Sequence, residues 1–395
     1  MVPIDRWAMA SSSLPLTQQI LSLIIYLSII APTFGVELPK ISELSDRDAN
    51  PFEWEVSGYL MLDTDEYRQT LSDATEVDES ESEIRRLRSE LSFSILNWEG
   101  EVQFQFEDDA DVQDANLTYK GFDGLDLKIG RMKIPTGMEN DLSSRHLTLI
   151  ERSVASEQTS LGRGNGLLLE SGSKQYGWKL GFFDNSDWND EVQDTALRVY
   201  WSPINKKKRQ LHLGFHGSVR DWKNGGYRLR SNGELNTTDS EVVSPSLHPK
   251  KIHQNGIELA YQQWGVIAQL EYTHQDIQVQ PSINESNTEY QFLQYQIAWL
   301  PFGQHRRYRE GLFKRVSGKS GLTKIEFVVR QSEVDGFDNN AGSLIDTSSI
   351  GINWYCYKDT KLMVNYIETE LERPASLTQQ DTSGWSARLQ WEFEL

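Results

Sequence analysis

Along most of the chain apolar and polar residues alternate with a period of two, which places one set on each face of a β-strand. In the final stretch Leu389, Trp391, Phe393 and Leu395 share one face, and Arg388, Gln390, Glu392 and Glu394 share the other. Val102, Phe104 and Phe106 oppose Glu101, Gln103 and Gln105 in the same way. Leu211, Leu213 and Phe215 oppose His212, Gly214 and His216, and Leu293, Tyr295, Ile297 and Trp299 oppose Gln294, Gln296 and Ala298. Strands are predicted at 54–62, 84–95, 98–106, 113–120, 125–131, 164–171, 175–183, 193–201, 210–219, 255–263, 265–277, 289–300, 322–331, 348–357, 361–371 and 385–395. That makes about sixteen strands of about ten residues, an even number of segments long enough to cross a hydrocarbon layer at a tilt. Connections at 97–98, 121–124, 173–174, 263–265 and 358–360 are short, and those at 64–83, 132–163, 222–254, 278–288 and 301–321 are long. Tryptophans recur near strand ends, at Trp54, Trp98, Trp201, Trp264, Trp299 and Trp385 among others, as interfacial girdles require. The fold class this predicts is all-β: a transmembrane antiparallel β-barrel, apolar toward lipid and polar toward a watery lumen. A large soluble β-sandwich also alternates, but it gives no reason for the short–long asymmetry or for the aromatic final strand.

Composition sharpens this picture. Mean hydropathy is -0.55, and beyond the N-terminus no run approaches the roughly 18 apolar residues of a membrane helix. Residues 1–35 read as an export signal, with Arg6 beside Asp5, an apolar run from Ile20 to Ala31, and Thr33-Phe34-Gly35 at the cleavage site. Residues 36–395 then form the barrel domain; a non-cleaved anchor and a start at Met9 are the alternatives at this terminus. The single cysteine, Cys356, rules out a disulfide within the chain and reads as an inert strand residue. A net charge of -19 excludes the basic footprint of a nucleic-acid binder. Acidic residues cluster from Asp63 to Glu83 and from Glu107 to Asp114. They read as solvated loops, the functional alternative being divalent-cation bridges to lipopolysaccharide phosphates. The seven histidines lack metal-ligand spacing. The glycine-rich run from Gly162 to Gly166 precedes a strand rather than a helix, so it is not a phosphate loop. No cofactor, no metal and no enzymatic triad is predicted.

Three blocks give the chain a family resemblance. The first is Ile84-Arg85-Arg86 leading into Leu91, Phe93 and Trp98. The second runs Asp114-Ala115-Asn116-Leu117-Thr118-Tyr119-Lys120-Gly121-Phe122, then Leu127-Lys128-Ile129-Gly130-Arg131, and later Leu149-Ile150-Glu151-Arg152. The third is Gly351-Ile352-Asn353-Trp354-Tyr355 with Lys361 to Tyr366, closing on Arg388-Leu389-Gln390-Trp391. In order and spacing these resemble the phosphate-selective porins O and P of Gram-negative outer membranes over nearly the whole chain, the stretch from Lys223 to Lys251 matching poorly. The resemblance implies a homotrimer of barrels in the outer membrane, bounded by lipid and lipopolysaccharide. It implies that residues 132–163 fold inward as a constriction lined by arginines and lysines that conduct phosphate or polyphosphate. Arg85 and Arg86 match the family's paired arginines, Arg145 and Arg152 lie in the inward loop, and Arg228 and Arg230 stand where the family has a short arginine run.

Strand parity adds to this from the residues alone. It places Arg86, Arg88, Lys128, Lys179, Arg198, Lys324, Arg330 and Arg388 in the lumen, where cations in a narrow pore replace part of an anion's hydration. Parity also places Glu90, Glu101, Asp126, Glu271, Glu326 and Glu392 there, so each cation also reads as a cross-strand partner of an acid. The expected function is passive diffusion of small anions, phosphate or polyphosphate foremost. A cation-preferring or general porin, and a non-conducting surface barrel for adhesion or anchoring, are the alternatives.

Overall fold

The computed structural model describes residues 52–395 apart from 71–75, 108–109, 187–190, 237–241, 244–245, 282–284, 337–343, 373–380 and 395. The export signal expected at 1–35 lies outside the described residues. Sixteen strands form one closed barrel: Glu53–Thr70, Glu76–Ile95, Trp98–Gln105, Asp111–Phe122, Leu125–Lys133, Arg163–Gly172, Tyr176–Asp184, Glu191–Lys206, Arg209–Asn224, Pro249–Gln263, Val266–Val279, Thr288–Trp299, Ile325–Asp335, Leu344–Tyr357, Thr360–Glu372 and Asp381–Glu394. Each pairs antiparallel with its neighbours, and the first pairs with the last from Ser57↔Glu394 to Thr70↔Asp381. Closure leaves the barrel no unpaired edge.

Burial is inverted relative to a soluble protein. Arg198, Glu326 and Asn353 are fully buried, while Ile257 and Ile350 are each 53% exposed on the outer face. An exterior of large apolar side chains around a polar interior is stable only where the exterior meets hydrocarbon. Tight turns gather at one end. At Trp264-Gly265 both residues have positive φ (56° and 80°), the backbone of a two-residue hairpin whose twist matches its strands.

Two expected connections are different in the structure. The segment 64–83, expected to be a solvated loop, is mostly strand: the first hairpin stays paired out to Thr70↔Glu76. Beyond the hydrocarbon the pattern no longer has to be apolar, and pairs such as Arg68–Asp78 (2.8 Å) occupy the ladder instead. The long connection at 301–321 lies at the end of the tight turns, which breaks the expected asymmetry. It forms a hairpin, Arg306–Arg309 with Leu312–Val316, that buries Leu312, Phe313 and Val316.

Among the described residues three segments enter the lumen. Residues 134–162 fold inward as expected, packing Met138, Leu142, Leu147 and Leu149 against Ala260, Ile267, Ala298 and Val328 of the wall and Phe313 of the hairpin. Part of the poorly matching stretch also enters. Leu229 joins Val154, Trp222, Phe292 and Ile345, and Leu235 packs on Tyr67 and Ile367.

Candidate functional site

The inward loop is held nearly residue by residue by polar side chains of the wall and, at His146, of the inward hairpin. Gln390 donates to the Arg145 carbonyl (3.1 Å), Arg306 to that of His146 (2.5 Å), Lys361 to Leu147 (3.4 Å) and Asn353 to Thr148 (2.7 Å). Arg388 donates to the Ile150 carbonyl (2.5 Å) and Arg330 to that of Glu151 (3.1 Å). Those carbonyls have no ladder of their own inside the barrel, so these donors supply the hydrogen bonds that water would otherwise supply.

Carboxylates complete the attachment. The short helix Val154–Thr159 has its leading N–H groups met in full. Ser153 N donates to Glu139 Oε2 (3.1 Å), Val154 N to Glu234 Oε1 (3.1 Å), Ala155 N to Ser332 Oγ (3.0 Å) and Ser156 N to Ser153 Oγ (3.0 Å). Four orphan donors of a helix start are thereby satisfied, two of them by negative charge. Glu271 takes the N–H groups of Met138 (2.7 Å) and Glu139 (2.8 Å) at the other short helix, Met138–Asp141. Arg330 ties two inward segments together, reaching Glu139 of one (3.0 Å) and Glu234 of the other (2.5 Å). Arg198 forks onto Glu258 (2.8 and 2.7 Å) and reaches Asp141 of the loop at 3.3 Å. Burial opposes ionisation of Asp141, but Lys179 and Arg198 outweigh it and hold that carboxyl below its ordinary range.

Facing these, on the side of strands 76–184, water reaches the lumen. Lys128 and Lys179 retain 23% side-chain exposure, whereas Arg330 and Arg388 retain 1%. Strict alternation would send one of two adjacent arginines to lipid. A β-bulge prevents this: Met61 pairs with Arg86 and Leu62 with Ile84, so Arg85 is the extra residue and turns inward with Arg86. Both converge on Glu151 of the inward loop. Arg85 grips it with Nε (3.0 Å) and Nη2 (3.3 Å), Arg388 Nη2 approaches at 2.6 Å, and Arg86 Nη2 stands at 3.8 Å. Arg388 also forks onto Asp63 (2.7 and 2.6 Å), an acid expected in a solvated loop that is instead buried at the closing seam. Burial would raise the Glu151 carboxyl, but Arg85, Arg388 and Arg86 hold it well below the usual carboxylate range.

The remaining sequence-derived residues fall around this centre. Arg88 donates to Gln105 (Nε, 2.8 Å) and Gln103 (3.4 Å), and Lys128 pairs with Glu170 at 3.8 Å. Arg145 lies over the Tyr59 ring at 5.2 Å and has no carboxylate partner among the described residues. Close by, His146 is kept neutral, its pKa lowered to about 3 by burial and by Arg145, Lys361 and Arg306. Arg152 points back into its own loop, donating to the carbonyls of Glu139 (3.3 Å) and Leu142 (2.7 Å). Arg228 is exposed away from the cluster, beside a cavity of about 650 Å³ lined by Trp222, Tyr227 and His248. The Arg230 side chain lies outside the described residues. Parity is obeyed by Arg198, Arg330 and Arg388, which are buried inside rather than lining open water. Sequence reasoning missed Glu139, Glu234 and Arg306 as anchors; nothing local marks the two acids, and Arg306 sits in a connection read as outside the barrel.

A closed sixteen-stranded barrel with an apolar exterior and a polar lumen narrowed by an inward loop defines an outer-membrane porin. The family described as phosphate-selective porin O and P matches residues 56–393, and the chain belongs to it. Porin O of Pseudomonas aeruginosa is 23% identical, covering 75% of this chain and 78% of its own. Solved barrels share the fold at lower identity. In-vitro folded OmpT of Vibrio cholerae superposes with a TM-score of 0.56 at 12% identity, over 88% of this chain and 100% of its own. An anion-selective porin from Comamonas acidovorans gives 0.55 at 9%, over 86% and 100%. The outer membrane channel DcaP of Acinetobacter baumannii gives 0.54 at 10%, over 87% and 97%.

Proposed function

We propose that this outer-membrane porin passes small anions, phosphate or polyphosphate foremost, down their gradient. The observation that carries the reading is the bulge that turns both Arg85 and Arg86 into the lumen next to Arg88, Arg85 keeping 21% of its side-chain surface and Arg86 10%. Guanidinium groups suit oxyanions because their planar forks place two donors on two oxygens. Arg145, which has no carboxylate partner among the described residues, adds a positive charge to the inward loop. The family's description as phosphate-selective supports the same reading by kinship, and the Comamonas porin, described as anion-selective, shares the fold. Assembly as a homotrimer within lipid and lipopolysaccharide belongs to it as well; one solved form of OmpT is described as a trimer.

Glu90, Glu101 and Glu170 on the open side favour a second reading, a general or cation-preferring porin. The zero-current potential of the refolded protein in a planar bilayer under a potassium chloride gradient separates the two. Anion preference is expected, with phosphate reducing the chloride current, and Arg86→Glu is expected to move the potential toward potassium. Cation preference in the wild type, or an unmoved potential in Arg86→Glu, overturns the anion reading.

A further inference from the structure

Two of the arginines that nominate an anion path, Arg85 and Arg86, already face an anion, and it belongs to the chain. We propose that Glu151 is a tethered occupant of an oxyanion site built by Arg85, Arg86 and Arg388, so that a permeating oxyanion enters only by exchanging with it. The proposal rests on the anion-passage reading and names the residue that would set its selectivity.

The geometry is that of a bound ligand. Arg85 addresses both carboxylate oxygens with two donors, Arg388 adds a third contact from the last strand, and Arg86, at 3.8 Å, is beyond hydrogen-bond reach. The site therefore has donor capacity that Glu151 leaves unused. Asp63 neutralises one of the three cations, and Glu151 a second. With Glu151 displaced, three guanidiniums would face Asp63 and, 4.0 Å from Arg85, Glu83, leaving a net charge of about one by formal count.

Exposure separates Glu151 from the other loop carboxylates that lumen arginines hold. Glu139, Asp141 and Glu234 keep 4%, 4% and 2% of their side-chain surface, whereas Glu151 keeps 13% and its partner Arg85 21%. Water reaches this pair. Nor is the Glu151 side chain needed to place the loop, because the backbone around it is held separately. Asn353 holds the Thr148 carbonyl, Arg388 that of Ile150 and Arg330 that of Glu151 itself. The carboxylate can leave while the loop stays.

Such an arrangement has a physical rationale. Three converging arginines with no occupant would bind an oxyanion too firmly to release it, and conduction needs sites that ions leave as readily as they enter. A tethered carboxylate competes at an effective concentration on the order of millimolar or more, and weakens every free competitor in proportion.

The test uses the full refolded chain in planar bilayers, comparing wild type with Glu151→Gln. Phosphate is titrated against chloride current, and acetate is titrated in a second arm. Glu151→Gln is expected to lower the half-blocking phosphate concentration about tenfold, by removal of the tethered competitor, and to move the zero-current potential toward chloride. A larger gain for acetate assigns the site to planar carboxylates, and a larger gain for phosphate assigns it to tetrahedral oxyanions. Half-blocking concentrations and a potential that both match wild type overturn the proposal and leave Glu151 as a fastening of the loop. Should Glu151→Gln not refold, Glu151→Asp draws the charge back from the Arg85 fork. A smaller shift in the same direction supports exchange, and no shift overturns it. A wild-type pore that prefers cations would defeat the anion-passage reading, while the difference between wild type and variant would still decide the role of Glu151.

Discussion

Arg330 is the residue on which most of the inward architecture converges. Its guanidinium meets Glu139, Glu234 and the Glu151 carbonyl, and the two carboxylates are buried with it. Removing one member of a buried charge cluster is costlier than never having built it, because the partners remain dehydrated and unpaired. Arg330→Ala is accordingly expected to cost about 3–5 kcal/mol. A lower unfolding midpoint and larger, noisier single-channel currents would report it. Which arginines face the lumen was legible from parity. What each one holds was not, because Glu139 and Glu234 lie 191 and 96 positions from Arg330. Arg85 shows the other limit. Alternation alone sends it to lipid, and only the bulge, a backbone event without a residue signature here, brings it inside.

At the scale of elements the sequence was most informative where lipid dictates it. Each of the sixteen predicted strands corresponds to a strand of the barrel, since hydrocarbon demands an apolar residue at every second position. It was least informative above and below the hydrocarbon. The first hairpin runs on into a charged ladder, and the connection at 301–321 turns inward although it is no more apolar than a surface loop. The hairpin Arg306–Val316 supports the inward loop from the turn end. Arg306 grips Glu326 through a fork (2.8 and 2.7 Å) and holds the His146 carbonyl, while Arg198 reaches the Gly311 carbonyl at 3.1 Å. Replacing residues 304–318 by a short turn, together with Glu326→Gln so that no carboxylate is stranded, is expected to enlarge the conductance. Circular dichroism should show the barrel strands unchanged; an unaltered conductance would mean that the hairpin lies clear of the path.

For the molecule as a whole, the lumen is a field of paired charges with a few groups left to set its sign. Glu157 of the inward loop is one of them. Water reaches it, yet protein surrounds it inside the barrel, and burial followed by the neighbouring Glu151 raises its pKa to about 7 from the ordinary 4.5. It is neutral below that pH and anionic above. Anion preference is therefore expected to weaken as pH rises through about 7, and a series of zero-current potentials from acid to alkaline buffer, repeated on Glu157→Gln, checks it. The same group works against stability in that window. Between pH 4.5 and about 7 the folded state holds a proton that the unfolded chain has released, so its contribution falls as pH rises.

The cluster around Glu151 also bears on how the barrel is assembled. Arg85 and Arg86 stand on the second strand, Asp63 on the first and Arg388 on the sixteenth, so the cluster straddles the seam where the sheet closes on itself. Until that seam forms, Glu151 lacks one of its arginines and Asp63 has lost its partner. Closing the seam therefore also tightens the constriction at this cluster, because Arg388 of the last strand then takes both the Ile150 carbonyl and the Glu151 carboxylate.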